Sequence, residues 1–139
     1  MNAEQKSAWF VIGVSVATLV AYVILIPLLG FKLASASFAL FGLAGLTPLF
    51  FRKQPGKVAS DERDRIIVRQ AAVAGGMSSY LIFVAGCMSA WFIKMTRSEA
   101  TIDITVLPLL VFCGAVVLFL VRSIVLLVLY RREVDYGQR

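Results

Sequence analysis

The sequence predicts an all-α integral membrane protein, a four-helix bundle built from two helical hairpins. Three observations predict it. Of 139 residues, 60% are apolar or aromatic and only 16% are charged, far from the balance of a soluble domain. The apolar residues gather in four long stretches, and four spans of about 22 residues would consume roughly 88 positions. The lysines and arginines, finally, fall mostly on one side of those stretches. A soluble domain of this size has too little interior to hide so much apolar surface, so disorder, a disulfide-stapled scaffold and a soluble enzyme are all disfavoured.

The first stretch, Ala8 to Leu29, carries no ionisable side chain and is long enough to cross a bilayer core. Pro27, Gly30 and Lys32 crowd a short connection, and Leu33 to Phe51 is again free of charge, so the first two spans form a tight hairpin. From Arg52 to Gln70 the composition changes: Pro55, Gly56 and nine charged residues form the one substantial hydrophilic segment. The third span is Ala71 to Ile93, with a start that reaches back to Ser60 on the cytoplasmic side. The fourth is Ile104 to Tyr130, interrupted only by Arg122, and a short polar connection, Lys94 to Asp103, joins the two.

Positive residues are retained on the cytoplasmic side of short loops. With four spans, both termini and the middle loop share a side, which holds Lys6, Arg52, Lys53, Lys57, Arg63, Arg65, Arg69, Arg131, Arg132 and Arg139. The opposite side holds Lys32, Lys94 and Arg97. Both termini are therefore expected in the cytoplasm, with Trp9 at the inner interface and Trp91 at the outer one, where aromatic belts lie. The net charge of +6 follows from this topology. It indicates contact with anionic headgroups at the cytoplasmic face rather than nucleic-acid binding. A cleaved secretion signal, with Lys6 ahead of the apolar run and Ala34-Ser35-Ala36 as cleavage site, is disfavoured because signal cores run only about 7 to 15 residues. Cys87 and Cys113 fall inside spans, lack CxxC spacing, and read as small buried hydrophobes.

Helix contact faces in lipid are marked by small residues that let backbones approach. Gly75, Ser79, Ile82, Gly86 and Ser89 recur at steps of four and three, the seam of a left-handed pair. Gly13, Ala17 and Ala21 repeat every fourth residue as a second ridge. Either seam serves inside one chain or across a homo-oligomer. Arg122 is costly within a span and marks a partner or a pathway. It shares a face with Gly114 and Ala115, which places it inside the bundle. Three roles stay open: bonding to carbonyls, hydroxyls or water, an ion pair with the middle loop, or an anion or substrate path.

Ser60 precedes Asp61, Glu62, Arg63, Asp64 and Arg65, a capping hydroxyl followed by first-turn acids, so a helix is expected to start in the cytoplasm. Counting back from the Gly75 seam gives Ala72, Val68, Arg65 and Asp61, which predicts that the charged residues continue the buried face, with Asp61 and Arg65 paired one turn apart. Asp61-Glu62-Arg63-Asp64, followed by Ile67, Ala71 and Tyr80, resembles the DER(D/E) signature that precedes a membrane helix in a group of uncharacterised small multi-pass prokaryotic membrane proteins. The resemblance implies an accessory or regulatory membrane protein and no assigned reaction.

With no histidine in the chain, Ser-His and Cys-His nucleophiles and histidine-ligated haem or zinc are excluded within it. Gly76-Met77-Ser78-Ser79 lacks the last glycine of a nucleophile elbow, and no Walker or dinucleotide glycine pattern occurs. Asp61 and Asp64 are too few ligands for a divalent-ion cage. None of the eight carboxylates lies in a span, which argues against proton-coupled cation export. The expectation is a non-enzymatic multi-pass protein of the prokaryotic inner membrane, without cofactor or metal. It would act through lipid or protein contacts, and its partner, if a second copy or another membrane protein, is left open. The alternative is a small dimeric transporter or channel for an anion or lipid headgroup centred on Arg122.

Overall fold

The computed structural model describes residues 3–50, 62–97, 101, 104 and 106–137, and every element in them is helical. Helix α1 spans Ala3–Ala34, a 3₁₀ segment spans Ser35–Leu46, α2 spans Thr47–Phe50, α3 spans Glu62–Thr96 and α4 spans Val106–Gly137. The all-α bundle expected from the sequence is present. Three stretches are long and apolar enough to cross a membrane, Glu4–Phe31, Asp64–Thr96 and Val106–Arg132.

The second predicted span differs from expectation. Leu33 to Phe51 is not one α-helix but mostly 3₁₀ helix, followed by the single turn of α2. Its side-chain spacing supplies a physical reason. Phe38, Phe41, Ala44 and Thr47 are all buried and recur every third residue. Only a helix with three residues per turn keeps such a stripe on one face. The Thr47 hydroxyl closes the segment by donating to the Ala44 carbonyl. Twelve residues rising about 2.0 Å each cover roughly 24 Å. The four residues of α2 add about 6 Å.

Two antiparallel hairpins result. In α1 the regular backbone breaks at Gly30, whose φ of 78° and ψ of 164° suit glycine and strain any residue with a Cβ. The chain reverses there. Phe10 meets Phe50 at 6.1 Å between ring centroids, and Tyr22 meets Phe38 at 4.9 Å. Gly30 is midway along the chain in both pairs. In the second hairpin, α3 and α4 pack along their length, with Asp64 beside Tyr130 and Ser79 beside Gly114.

Helix α4 is the shared wall, since it packs against α1, the 3₁₀ segment and α3. One core layer joins Ala8, Ile67, Ala71, Leu126 and Tyr130. It gathers the beginning of α1, the beginning of α3 and the latter part of α4 at one end of the bundle. A second layer joins Phe38, Phe41 and Val116, with Tyr22, Phe112 and Phe119 against them. There Phe38 stacks on Phe112 at 4.8 Å with planes 3° apart, and Phe41 meets Phe119 edge-on at 5.3 Å.

The inward face of α1 is distinct from its small-residue ridge, whose place inside one chain or across a homo-oligomer the sequence leaves open. Ala8, Val11, Ser15 and Thr18 are buried, at steps of three and four, whereas Gly13 and Ala17 are exposed and Ala21 is half-buried. Among the described residues nothing approaches within 4 Å of where a Gly13 Cβ would stand. At Gly13 and Ala17 the small-residue ridge therefore points away from the other described residues. The polar side chains inside are tolerated because they bond to their own helix: Ser15 and Thr18 donate to the carbonyls of Val11 and Val14, each at 2.8 Å. Cys87 is half-buried and Cys113 is exposed, so the expected burial of both cysteines fails for Cys113, which points outward from α4.

Candidate functional site

Of the polar residues singled out from the sequence, Asp64, Ser79 and Arg122 lie on one strip, the face between α3 and α4, whereas Glu62 and Arg65 are exposed. At Gly75 the glycine meets the backbone of α4. A Cβ there would stand 2.6 Å from the Leu118 carbonyl oxygen, closer than packed carbons come to backbone, and 3.0 Å from Arg122 Cβ. Four residues on, the Ser79 hydroxyl donates to the Gly114 carbonyl at 2.8 Å, bridging the helices. Further along, a Cβ on Gly86 would meet the end of the Leu110 side chain at 2.5 Å. Gly75, Ser79 and Gly86 thus serve contact within one chain. Ile82 and Ser89, predicted on the same seam, are exposed. An α-helix drifts relative to a strict seven-residue repeat, and by the far half of α3 the face has rotated past those positions.

The same drift corrects the charged end. Counting back in heptads put Arg65 and Asp61 on the buried face, but Ala72 and Arg65 are exposed. The face runs instead through Ala71, Ile67 and Asp64, with Ala71 fully buried and Ile67 4% exposed. Asp64 therefore takes the inward place, and its carboxylate accepts a hydrogen bond from the Tyr130 hydroxyl at 2.8 Å. The helix begins at Glu62 with Glu62 and Asp64 in its first turn, where the dipole favours acids. The expected Ser60 cap and the Asp61 to Arg65 pair involve residues outside those described, as does the side chain of Arg63.

Arg122 is half-buried on α4, its Cβ lying over Gly75. Among the described residues it makes no ion pair and no side-chain hydrogen bond. Gly114 and Leu118 lie on the same α3-facing side. No pairing with a middle-loop charge is seen among those residues. Nor do three His, Cys, Asp or Glu side chains gather into a metal-binding group among them.

Sequence reasoning missed two features. One is Tyr130, the partner of Asp64; a tyrosine ending an apolar stretch reads as an interfacial anchor, and only the antiparallel register of α3 and α4 reveals its contact. The other is a recess of about 490 Å³ on the outer side of α3, lined by Glu62, Arg65, Ile66 and Arg69. Spacings of three and four could have flagged it, since those residues share one helical face.

Comparison with known proteins gives no match, whether to a family model, a curated protein or a solved structure. The likeness of Asp61 to Tyr80 to the DER(D/E) group therefore rests on the short motif alone.

Proposed function

We propose that this chain is an integral protein of a prokaryotic inner membrane. It crosses four times, keeps both termini and the middle loop in the cytoplasm, catalyses no reaction, and works through contacts with lipid and with a membrane-protein partner. One observation carries the reading: large apolar side chains stand exposed along every long helix, among them Val23 and Leu28 on α1, Met77 and Leu81 on α3, and Leu107 and Val111 on α4. A water-soluble monomer rarely exposes contiguous apolar patches beyond a few hundred Å², and lipid is the solvent that such surfaces match.

Two further features support the details. The 3₁₀ segment and α2 together reach roughly 30 Å, the thickness of the hydrocarbon core, so the second stretch crosses although it is short in residues. The core layer that holds Ala8, Ile67 and Tyr130 is bordered in sequence by Lys6, Arg65, Arg69, Arg131 and Arg132, whereas Lys94 and Arg97 follow the other end of α3. That asymmetry favours the cytoplasm for the first end.

Reporters fused at each terminus test the topology. A cytoplasm-dependent fluorophore is expected to light at both ends, and a periplasm-dependent phosphatase at neither. Opposite signals at the two ends would mean three crossings and a second segment that stays on one side. Resistance to alkaline extraction tests the membrane reading itself; release of the chain into the soluble fraction would overturn it.

Arg122 favours a second reading, a small dimeric path for an anion or lipid headgroup, because a guanidinium within a span without a partner among the described residues is costly unless something visits it. Vesicles that pass an anion with the native chain and not with Arg122→Ala would establish that reading. Equal flux from both would remove it.

A further inference from the structure

Helix α3 has two faces half a turn apart. Gly75 and Ser79 turn to α4, and Ile66, Val73, Met77 and Tyr80 turn outward, with 52%, 58%, 63% and 66% of their surfaces exposed. At the charged end of this outward stripe lies the recess bounded by Glu62, Arg65, Ile66 and Arg69. Arg65 and Arg69 are both exposed and one helical turn apart. An apolar stripe running into a pair of guanidinium groups has the polarity of a phospholipid, with acyl chain below and phosphate above.

We propose that this recess holds the phosphodiester of an anionic phospholipid, with one acyl chain lying beyond Arg69 along Val73 and Met77. The proposal rests on the membrane reading above and adds a defined site to it. Charge selects the headgroup. Glu62 offsets one of the two arginines, leaving a single positive charge, which a phosphodiester monoanion neutralises. Guanidinium groups offer paired N–H donors in the plane that phosphate oxygens accept. A zwitterionic headgroup would bring its own ammonium beside two arginines, and is disfavoured for that reason.

Native mass spectrometry of the full chain in detergent, titrated separately with phosphatidylglycerol and phosphatidylcholine, tests the site. The native chain is expected to retain phosphatidylglycerol preferentially, by about fivefold for each arginine engaged. Arg65→Gln with Arg69→Gln should reduce retention to the phosphatidylcholine level, while Arg131→Gln with Arg132→Gln leaves the preference in place. Glu62→Gln should raise retention of phosphatidylglycerol, a gain that no misfolded chain produces, so it decides the matter if the double arginine variant fails to fold. Equal retention of the two lipids by the native chain would overturn the proposal. So would an unchanged preference in a folded double variant, or complete displacement of the lipid by inorganic phosphate, which would assign the site to a free anion. A protein seated there in place of lipid would be recognised by co-purification lost in the double variant while lipid retention is unaltered, and that too would overturn it. Alkaline extraction separates the two levels: a chain that resists extraction yet shows no lipid preference refutes the site alone, and a chain that is released refutes the membrane reading beneath it.

Discussion

The two hairpins of this bundle are held together by opposite means. Midway between α3 and α4 the side chains are small: Gly75 admits the Leu118 carbonyl, and Ser79 reaches the Gly114 carbonyl directly, with Ile67, Leu126 and Tyr130 packed at one end of the seam. Between α1 and the 3₁₀ segment the contacts are aromatic, Tyr22 with Phe38 and Phe10 with Phe50, and the hydroxyls of Ser15 and Thr18 are spent on their own helix. Helix association in lipid has no hydrophobic drive of its own and depends on packing and hydrogen bonds. A seam of small residues gains those by bringing backbones together, and so is sensitive to one added carbon. Rings gain area at larger separation and tilt to absorb change. The second hairpin is therefore the more brittle of the two.

The comparison can be broken most directly at Gly75. Gly75→Ala is expected to lower stability in detergent by about 3 kcal/mol, the upper range for overpacking, because the atom it strikes is backbone and cannot rotate away. Reversible unfolding by denaturing detergent measures it, and a loss as small as that of a surface substitution would show that the seam yields. The first hairpin is tested at its turn. Gly30→Ala should cost about 2 kcal/mol through backbone strain alone, with the Tyr22 to Phe38 approach loosening, as read by distance labels on the two segments.

Smaller effects sharpen the contrast. Tyr130→Phe removes the hydroxyl that Asp64 accepts and should cost about 1.5 kcal/mol; a double-mutant cycle with Asp64→Asn isolates the coupling. Ser79→Ala should cost about 0.6 kcal/mol, the average for a hydrogen bond between membrane helices, and proteolysis of the connection between α3 and α4 should rise with it. Least of all, Gly13→Ala meets open space among the described residues and should stabilise α1 by about 0.5 kcal/mol through helix propensity. A marked loss there would reveal that the ridge is covered by a second copy after all, and the oligomeric state of the variant would decide it.

Much of the fold is legible in the residues alone. Apolar stretches near Ala8 to Leu29, Ala71 to Ile93 and Ile104 to Tyr130, the last interrupted only by Arg122, announce long helices, because no other structure satisfies a backbone inside so much apolar surface. Gly75, Ser79 and Gly86 announce a contact face. A heptad count from Gly75 back to Arg65 misplaces that residue because an α-helix turns by 3.6 residues and not 3.5. That small difference, accumulated over three turns, moves Asp64 inward and Arg65 out. The ridge of Gly13, Ala17 and Ala21 left its placement open for another reason: small residues permit close approach but do not compel it, and α1 packs on its neighbours in the chain through Ala8 and Val11.

What the amino-acid sequence determined by itself is where the chain is apolar, where it is charged and how long each segment runs, since these depend only on the order of side chains along the polymer. Which face of α1 turns inward, and how the charged end of α3 is rotated, were decided only by tertiary structure. So were the 3₁₀ winding that keeps Phe38, Phe41 and Ala44 in line, the meeting of Asp64 with Tyr130, and the recess between Arg65 and Arg69. The physical reason is that rotation about a helix axis is settled by neighbours, and a few degrees per turn suffice to exchange a half-buried carboxylate for an exposed guanidinium.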